Sequence, residues 1–144
     1  MSPLYEVSNV SIDLAAPSSG GAALLPGRLP RMTILSGLSV AVGHGEMLGL
    51  VGESGSGKST LARAMMGLVA ITDGRLVFDG APVCSRGDFV RVRKSTALMF
   101  QDAVASLSPR RKVAAQLVEP FRINGVPLPE GEKTAAAMLE RVGL

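Results

Sequence analysis

The strongest constraint on this chain is an octapeptide. Gly52-Glu53-Ser54-Gly55-Ser56-Gly57-Lys58-Ser59 fits G-x-x-x-x-G-K-[ST] at every fixed position. An apolar pentapeptide, Met47 to Val51, precedes it. Its length predicts a strand buried on both faces of a parallel sheet. After it comes a segment, 59–69, with Leu61, Met65 and Leu68 at i, i+4 and i+7, which predicts one face of a helix. Strand, glycine-rich turn and helix in that order are the context the pattern requires. A Gly/Ser-rich linker that happens to contain a lysine lacks it.

Each residue type answers to a phosphate chain. Gly52, Gly55 and Gly57 have no Cβ, so the loop can take left-handed dihedrals and approach an anion closely. Successive N–H groups then form an anion nest. A helix beginning near Lys58 points its positive end at the same anion. Lys58 adds a full charge near the β- and γ-phosphates, and Ser59 offers a hydroxyl to Mg²⁺, a cation that prefers hard oxygen ligands. Hydrogen bonds to charged groups contribute about 1.5–3 kcal/mol each, so several together support micromolar affinity, about −8 kcal/mol. The expected nucleotide-binding residues are Gly52, Glu53, Ser54, Gly55, Ser56, Gly57, Lys58, Ser59 and Thr60. Glu53 reads as an exposed variable position within the loop rather than a catalytic base. No catalytic residue is expected within the chain.

Composition closes off other classes. With 144 residues, 47% of them hydrophobic and 19% charged, the chain has globular composition and room for about one domain. No apolar run approaches the ~18–20 residues that cross a bilayer, and no basic segment precedes an apolar stretch at the N-terminus, so a secretory signal is not expected. One cysteine, Cys84, forms no internal disulfide, and with a lone histidine, His44, it makes no structural zinc site. A net charge of +3, 3% aromatics and no Trp argue against a base-stacking platform, and no nucleic-acid partner is expected.

Along the chain, alternation over 4–14 predicts a half-buried strand, with Leu4, Val10 and Ile12 among polar neighbours. Residues 15–31 hold three prolines and three glycines and read as a loop insertion. Strand character resumes over 33–42, and Gly43 to Glu46 is a turn. Thr72-Asp73-Gly74 turns the chain into a strand at 75–79. Residues 86–94 form a short basic helix whose charges read as a solvated face. Residues 96–100, TALMF, form a second buried strand candidate ending at Gln101. Residues 113–119 look helical and stop at Pro120. Asn124-Gly125 and the prolines at 127 and 129 mark a turn, and 130–144 returns to helical spacing.

The residues around the octapeptide resemble the ATP-binding subunit of an ABC transporter. LGLVGESGSGKSTLARAMMGL at 48–68 looks like that family's first nucleotide motif (Walker A, the P-loop) and its helix. DGRLVFDG at 73–80 is similar to the hairpin that follows, and MFQDAVASLSPRRKV at 99–113 resembles the Q-loop region. The last segment and GEMLGLVGESGSGKST resemble the branch that powers oligopeptide, dipeptide and nickel importers. The resemblance covers 4–144 apart from the insertion, and it implies an α/β fold. That fold is a P-loop NTPase core, incomplete, with an N-terminal antiparallel β portion and, over 102–144, the start of a helical subdomain. It makes 1–144 the N-terminal part of a single nucleotide-binding domain. It assigns Gln101 the Q-loop role, in which the amide oxygen helps hold Mg²⁺ and the attacking water beside Ser59. The implied cofactors are ATP and Mg²⁺. The implied partners are a transmembrane permease subunit and a second ATP-binding subunit, as homo- or heterodimer, at the cytoplasmic face of the cell membrane.

Two departures stand out. The family's adenine-stacking aromatic falls near Leu14, and no aromatic follows before Phe78; Tyr5 comes too early and reads as a residue packed in its strand. The signature motif, the acidic Walker B strand and the switch histidine belong after residue 144. The chain alone is therefore expected to be inactive in hydrolysis and to leave strand edges uncovered. His44 reads as a surface residue. The implied function is ATP binding, with hydrolysis powering transport of a peptide- or nickel-type solute in the complete protein. The alternatives are a non-catalytic nucleotide-binding fragment, or a P-loop kinase of a small molecule, which leaves 99–113 unexplained.

Overall fold

A computed structural model describes residues 2–15, 31–102 and 106–144. The expected insertion at 15–31 lies, but for its two end residues, outside the described residues. Ala15 and Arg31 themselves belong to strands. The chain divides into two compact units, Met1–Ala97 and Leu98–Leu144.

The first unit carries a four-stranded sheet ordered β2-β1-β3-β4. Its strands are β1 (Tyr5–Ala15), β2 (Arg31–Val42), β3 (Asp73–Phe78) and β4 (Ala81–Pro82), every neighbour antiparallel. In β1 the buried residues are Tyr5, Val7, Val10 and Ile12. Simple alternation would turn Val10 outward, because three positions separate it from Val7. Asn9 corrects this: at φ 51° it makes an irregularity in the pairing with β2, and the buried face resumes at Val10. Asn tolerates the left-handed region better than other non-glycine residues. The β3–β4 hairpin turns on Asp79 and Gly80, both at positive φ (49° and 72°), as a type I′ turn demands. β3 begins at Asp73, two residues earlier than expected. Thr72 donates its N–H to Ser11 O (2.7 Å) and its hydroxyl accepts from Asp13 N–H (2.8 Å), so the entry to β3 is already tied to β1.

Two helices complete this unit, α1 (Lys58–Met65) and α2 (Arg86–Ser95). α1 buries Leu61 and Ala64 and ends sooner than the i, i+4, i+7 spacing suggests. Gly67, at φ 68°, takes the left-handed position of a Schellman stop, with Leu68 N–H on Arg63 O (2.8 Å) and Gly67 N–H on Ala64 O (2.9 Å). Leu68 therefore lies beyond the helix and is exposed. α2 starts with a capping box: the Ser85 hydroxyl accepts from Asp88 N–H, and the Asp88 carboxylate accepts from Ser85 N–H. The Ser85 hydroxyl, which also donates to the Asp88 carboxylate (2.8 Å), followed by the Ser85 and Cys84 N–H groups, holds that carboxyl below its usual range. Val92 is the buried residue of this helix.

Two expected strands are absent. Residues 47–51 and 96–100 carry no strand pairing, and Met47 (97% exposed), Val51 (99%) and Met99 (91%) stand in solvent. Both segments are apolar in composition. A parallel strand, however, exists only by hydrogen bonding to neighbours, and among the described residues neither segment is paired into a sheet.

The second unit is a helical hairpin of α3 (Val113–Ile123) and α4 (Leu128–Arg141). α3 runs through Pro120 instead of stopping there. An interior proline costs about 3 kcal/mol. The extra turn places Phe121 against Gly131 of α4, where a Cβ would come within 3.0 Å of the Phe121 Cβ, alongside buried Val118 and Ala135. The helix stops at Asn124-Gly125, the expected turn, with Val126 N–H on Phe121 O. Gln116 organises the segment ahead of α3: it accepts from Ser108 N–H (2.7 Å) and donates to Ser108 O and Arg111 O.

Candidate functional site

The octapeptide folds as a turn running into α1. Ser56 N–H bonds to Glu53 O (3.2 Å), closing the turn. Gly55 and Gly57 sit at φ 84° and 88°, the left-handed conformation expected of them. Gly52 does not have a positive φ. Its requirement is space, because a Cβ there would stand 2.8 Å from Ser56 Oγ and 3.9 Å from Lys58 Nζ. Gly57 has both requirements. It is buried, and a Cβ would stand 2.7 Å from Leu35 Cδ2 and 3.2 Å from Ile34 O. Strand β2 is thus the floor under the end of the loop, a role for Ile34 and Leu35 that sequence spacing does not signal.

The first intrahelical bond of α1 runs from Leu61 N–H to Gly57 O (2.8 Å). The amides of Lys58, Ser59 and Thr60 precede that ladder. No side chain caps them, and no acidic residue occupies the first turn. A helix N-terminus of this kind presents free donors and a partial positive charge with no internal anion to satisfy them. The Lys58 ammonium lies over the loop, donating to Gly52 O (2.6 Å), Glu53 O (2.7 Å) and Ser56 Oγ (3.2 Å). Ser59 is exposed on the first turn of α1. Glu53 contributes its carbonyl to this arrangement, while the residue itself is exposed.

These features fit a polyphosphate. They supply main-chain donors with no competing cap, a lysine held by neutral acceptors, and three glycines without Cβ atoms. The hydroxyl of Ser59 has the donor chemistry Mg²⁺ takes in company with phosphate oxygens and water. Gln101 lies at an exposed bend in the second unit. Among the described residues no group of three or more His, Cys, Asp or Glu could hold a metal by itself.

The other residues weighed from sequence fall as follows. Tyr5 is buried, its ring 5.6 Å from that of Phe78, so it is a core residue as read. Leu14 stands partly exposed near the end of β1. His44 is exposed in its turn, with Nε2 3.9 Å from Asp79 Oδ1. Cys84 is exposed and free. In the second unit a groove of about 390 Å³ runs between α3 and α4, edged by Arg111, Arg122 and Glu132 with Val118 at its base. No helix among the described residues is long and apolar enough to cross a membrane.

Comparison with known proteins gives three findings. The family model described as ABC transporter matches residues 35–144. The glutathione import ATP-binding protein GsiA of Escherichia coli O157:H7 is 45% identical over 104 residues, 69% of this chain and 16% of that protein. Its counterpart from Salmonella choleraesuis is 46% identical over 105 residues, with the same coverage. The chain therefore spans about a sixth of the length of these curated relatives. Among solved structures, cbiO1 from Clostridium perfringens, part of the ABC transporter complex cbiONQ, aligns with a TM-score of 0.65 at 25% identity. That alignment covers all of this chain and 52% of the other. The ATP-binding cassette MJ0796, in a dimeric post-hydrolysis state with ADP and Pi, aligns with a TM-score of 0.68 at 19% identity over 94% of this chain and 56% of the other, a likeness of fold.

Proposed function

Because the chain belongs to the ABC transporter family, we propose that it binds ATP through residues 52–60, as part of a subunit whose hydrolysis of ATP powers import. One observation carries this reading. The N-terminus of α1 has free amides at Lys58, Ser59 and Thr60, no cap and no acidic residue, directly after two left-handed glycines and under the Lys58 ammonium.

In this reading Gly52, Glu53, Ser54, Gly55, Ser56 and Gly57 wrap the phosphates with main-chain donors. Lys58 exchanges its carbonyl partners for phosphate oxygens, a trade of neutral for charged acceptors that strengthens each bond. Ser59 would hold Mg²⁺, whose charge neutralises the phosphate chain when bound. Thr60 continues the first helical turn. Residues 102–144 are taken as the start of a helical subdomain within one nucleotide-binding domain. The partners proposed are a transmembrane permease and a second ATP-binding subunit at the cytoplasmic face of the membrane. Relatives named for glutathione import, glutathione being a tripeptide, favour a small-peptide solute over a metal ion.

Calorimetric titration with MgATP tests the reading. Unaltered protein is expected to bind in the micromolar range. Lys58→Ala removes a charge-assisted interaction of about 1.5–3 kcal/mol and is expected to weaken binding about 10- to 100-fold. Equal affinity in the two proteins, or none in the unaltered one, refutes the assignment.

A further inference from the structure

The two ends of α1 are treated oppositely. Its N-terminal amides are left open, whereas its C-terminal carbonyls are all engaged. Ala62 O accepts from Met66 N–H, Arg63 O from Leu68 N–H and Ala64 O from Gly67 N–H. A Schellman stop leaves the next two carbonyls without local partners. Side chains distant in sequence take both: the Tyr5 hydroxyl, from β1, donates to Met65 O at 2.7 Å, and Arg93 Nη1, from α2, donates to Met66 O at 3.2 Å. Arg93 also brings a full positive charge to the negative end of the helix, beside Arg63 in its last turn.

We infer that Tyr5 and Arg93 are positioning residues for nucleotide binding, clamping the C-terminal end of α1 so that its open N-terminal end is held in register with the 52–57 loop. The inference rests on the phosphate-binding reading proposed above. A helix of eight residues is too short to hold itself in place. It is about 12 Å long and moves as one body, so a shift at its C-terminus is delivered to the amides of Lys58, Ser59 and Thr60. Hydrogen-bond geometry tolerates little of this, since bonds weaken steeply as distance and angle depart from ideal. The two clamps act along different directions, one from the sheet and one from α2. Together they set both the axial position and the rotation of the helix. Neither residue reaches the loop, and neither belongs to the nucleotide motif.

The test uses the full chain, with MgATP affinity and thermal melting recorded on the same samples. Tyr5→Phe removes only the hydroxyl. Arg93→Gln removes the charge from an exposed side chain, and Arg93→Lys keeps it. Val83→Ala, at a buried residue after β4, is the matched destabilised control. Tyr5→Phe and Arg93→Gln are each expected to weaken MgATP binding about fivefold to tenfold below their melting temperatures, with most of the loss recovered in Arg93→Lys. Val83→Ala is expected to lower melting at least as far and leave affinity within about twofold. The inference is overturned if Tyr5→Phe and Arg93→Gln bind within about twofold of the unaltered chain, or if Val83→Ala weakens binding as much as they do. Absence of MgATP binding by the unaltered chain instead overturns the phosphate-binding reading, and this inference with it.

Discussion

Replacing each loop glycine by alanine separates three physical requirements that a sequence motif merges. At Gly55 φ is 84° and a Cβ would meet nothing within 4 Å. Gly55→Ala therefore pits a left-handed alanine against open space, at about 1–2 kcal/mol. At Gly57 φ is 88°, and the same Cβ would press on Leu35 Cδ2 at 2.7 Å and Ile34 O at 3.2 Å. The leucine methyl can rotate away, but the β2 carbonyl is fixed by its strand. Overpacking of this kind adds about 1–3 kcal/mol, which gives about 2–5 kcal/mol for Gly57→Ala. At Gly52 φ is not positive. The added methyl comes within 2.8 Å of Ser56 Oγ, an acceptor of the Lys58 ammonium. Its cost in stability is expected to be the smallest, and its effect falls on the lysine. Urea unfolding followed by circular dichroism gives the stability order, provided the denaturant slope is unchanged. MgATP titration gives the functional order. The expected stability loss is greatest for Gly57→Ala, then Gly55→Ala, then Gly52→Ala, with affinity impaired in all three. Equal losses for Gly55→Ala and Gly57→Ala would refute the role of β2 as the floor of the loop. No loss for Gly55→Ala would refute the dihedral argument.

Three further outcomes follow from the packing. Gly67→Ala combines a left-handed φ of 68° with a Cβ 2.4 Å from the Phe89 ring, so it is expected to cost about 2–5 kcal/mol and to be partly rescued by Phe89→Leu in a double-mutant cycle. Burial raises the Tyr5 hydroxyl to about 12 from 10.0, so its contribution to stability is complete below pH 10 and is lost as pH rises through about 12. Unfolding midpoints measured across that window should fall for the unaltered chain and lose that slope in Tyr5→Phe; this is the chain's single tyrosine, so tyrosinate absorbance reports it alone. Pro120→Ala restores an N–H to the interior of α3 and removes a steric clash, so it is expected to stabilise the second unit by about 1–3 kcal/mol, read as a higher melting point in far-ultraviolet circular dichroism.

The parts of this chain that sequence reasoning recovered are those whose physics is contained within a few consecutive residues. The left-handed glycines at 55 and 57, the start of α1 at Lys58, the strand expected over 4–14 and found as Tyr5–Ala15, and the turn at Asn124-Gly125 all follow from local dihedral preference and hydrogen bonding. The errors occur where the outcome depends on a second segment. Residues 47–51 and 96–100 have the composition of buried strands, yet pairing is a relation between two stretches of backbone, and no described strand completes it. Pro120 is a helix breaker by itself, yet α3 passes through it because Phe121 packs on Gly131 of α4. Gly67 falls within the 59–69 helical spacing yet ends α1, since a lone glycine there looks the same in sequence whether it interrupts a helix or ends one.

From its sequence alone this chain is committed to a glycine-rich turn running into a helix and to the ABC transporter family. Eight successive residues hold the dihedral freedom, the donors and the charge, and none of those properties needs a distant partner to exist. Tertiary structure alone decided what lies behind that turn and what anchors its helix. Ile34 and Leu35 come under Gly57 only when β2 joins the sheet. The Tyr5 hydroxyl reaches Met65 across 60 positions, and Arg93 reaches Met66 across 27. Contacts between residues so far apart in the chain leave no periodicity to read, because they arise from how separate elements pack and not from the order of neighbours within any one of them.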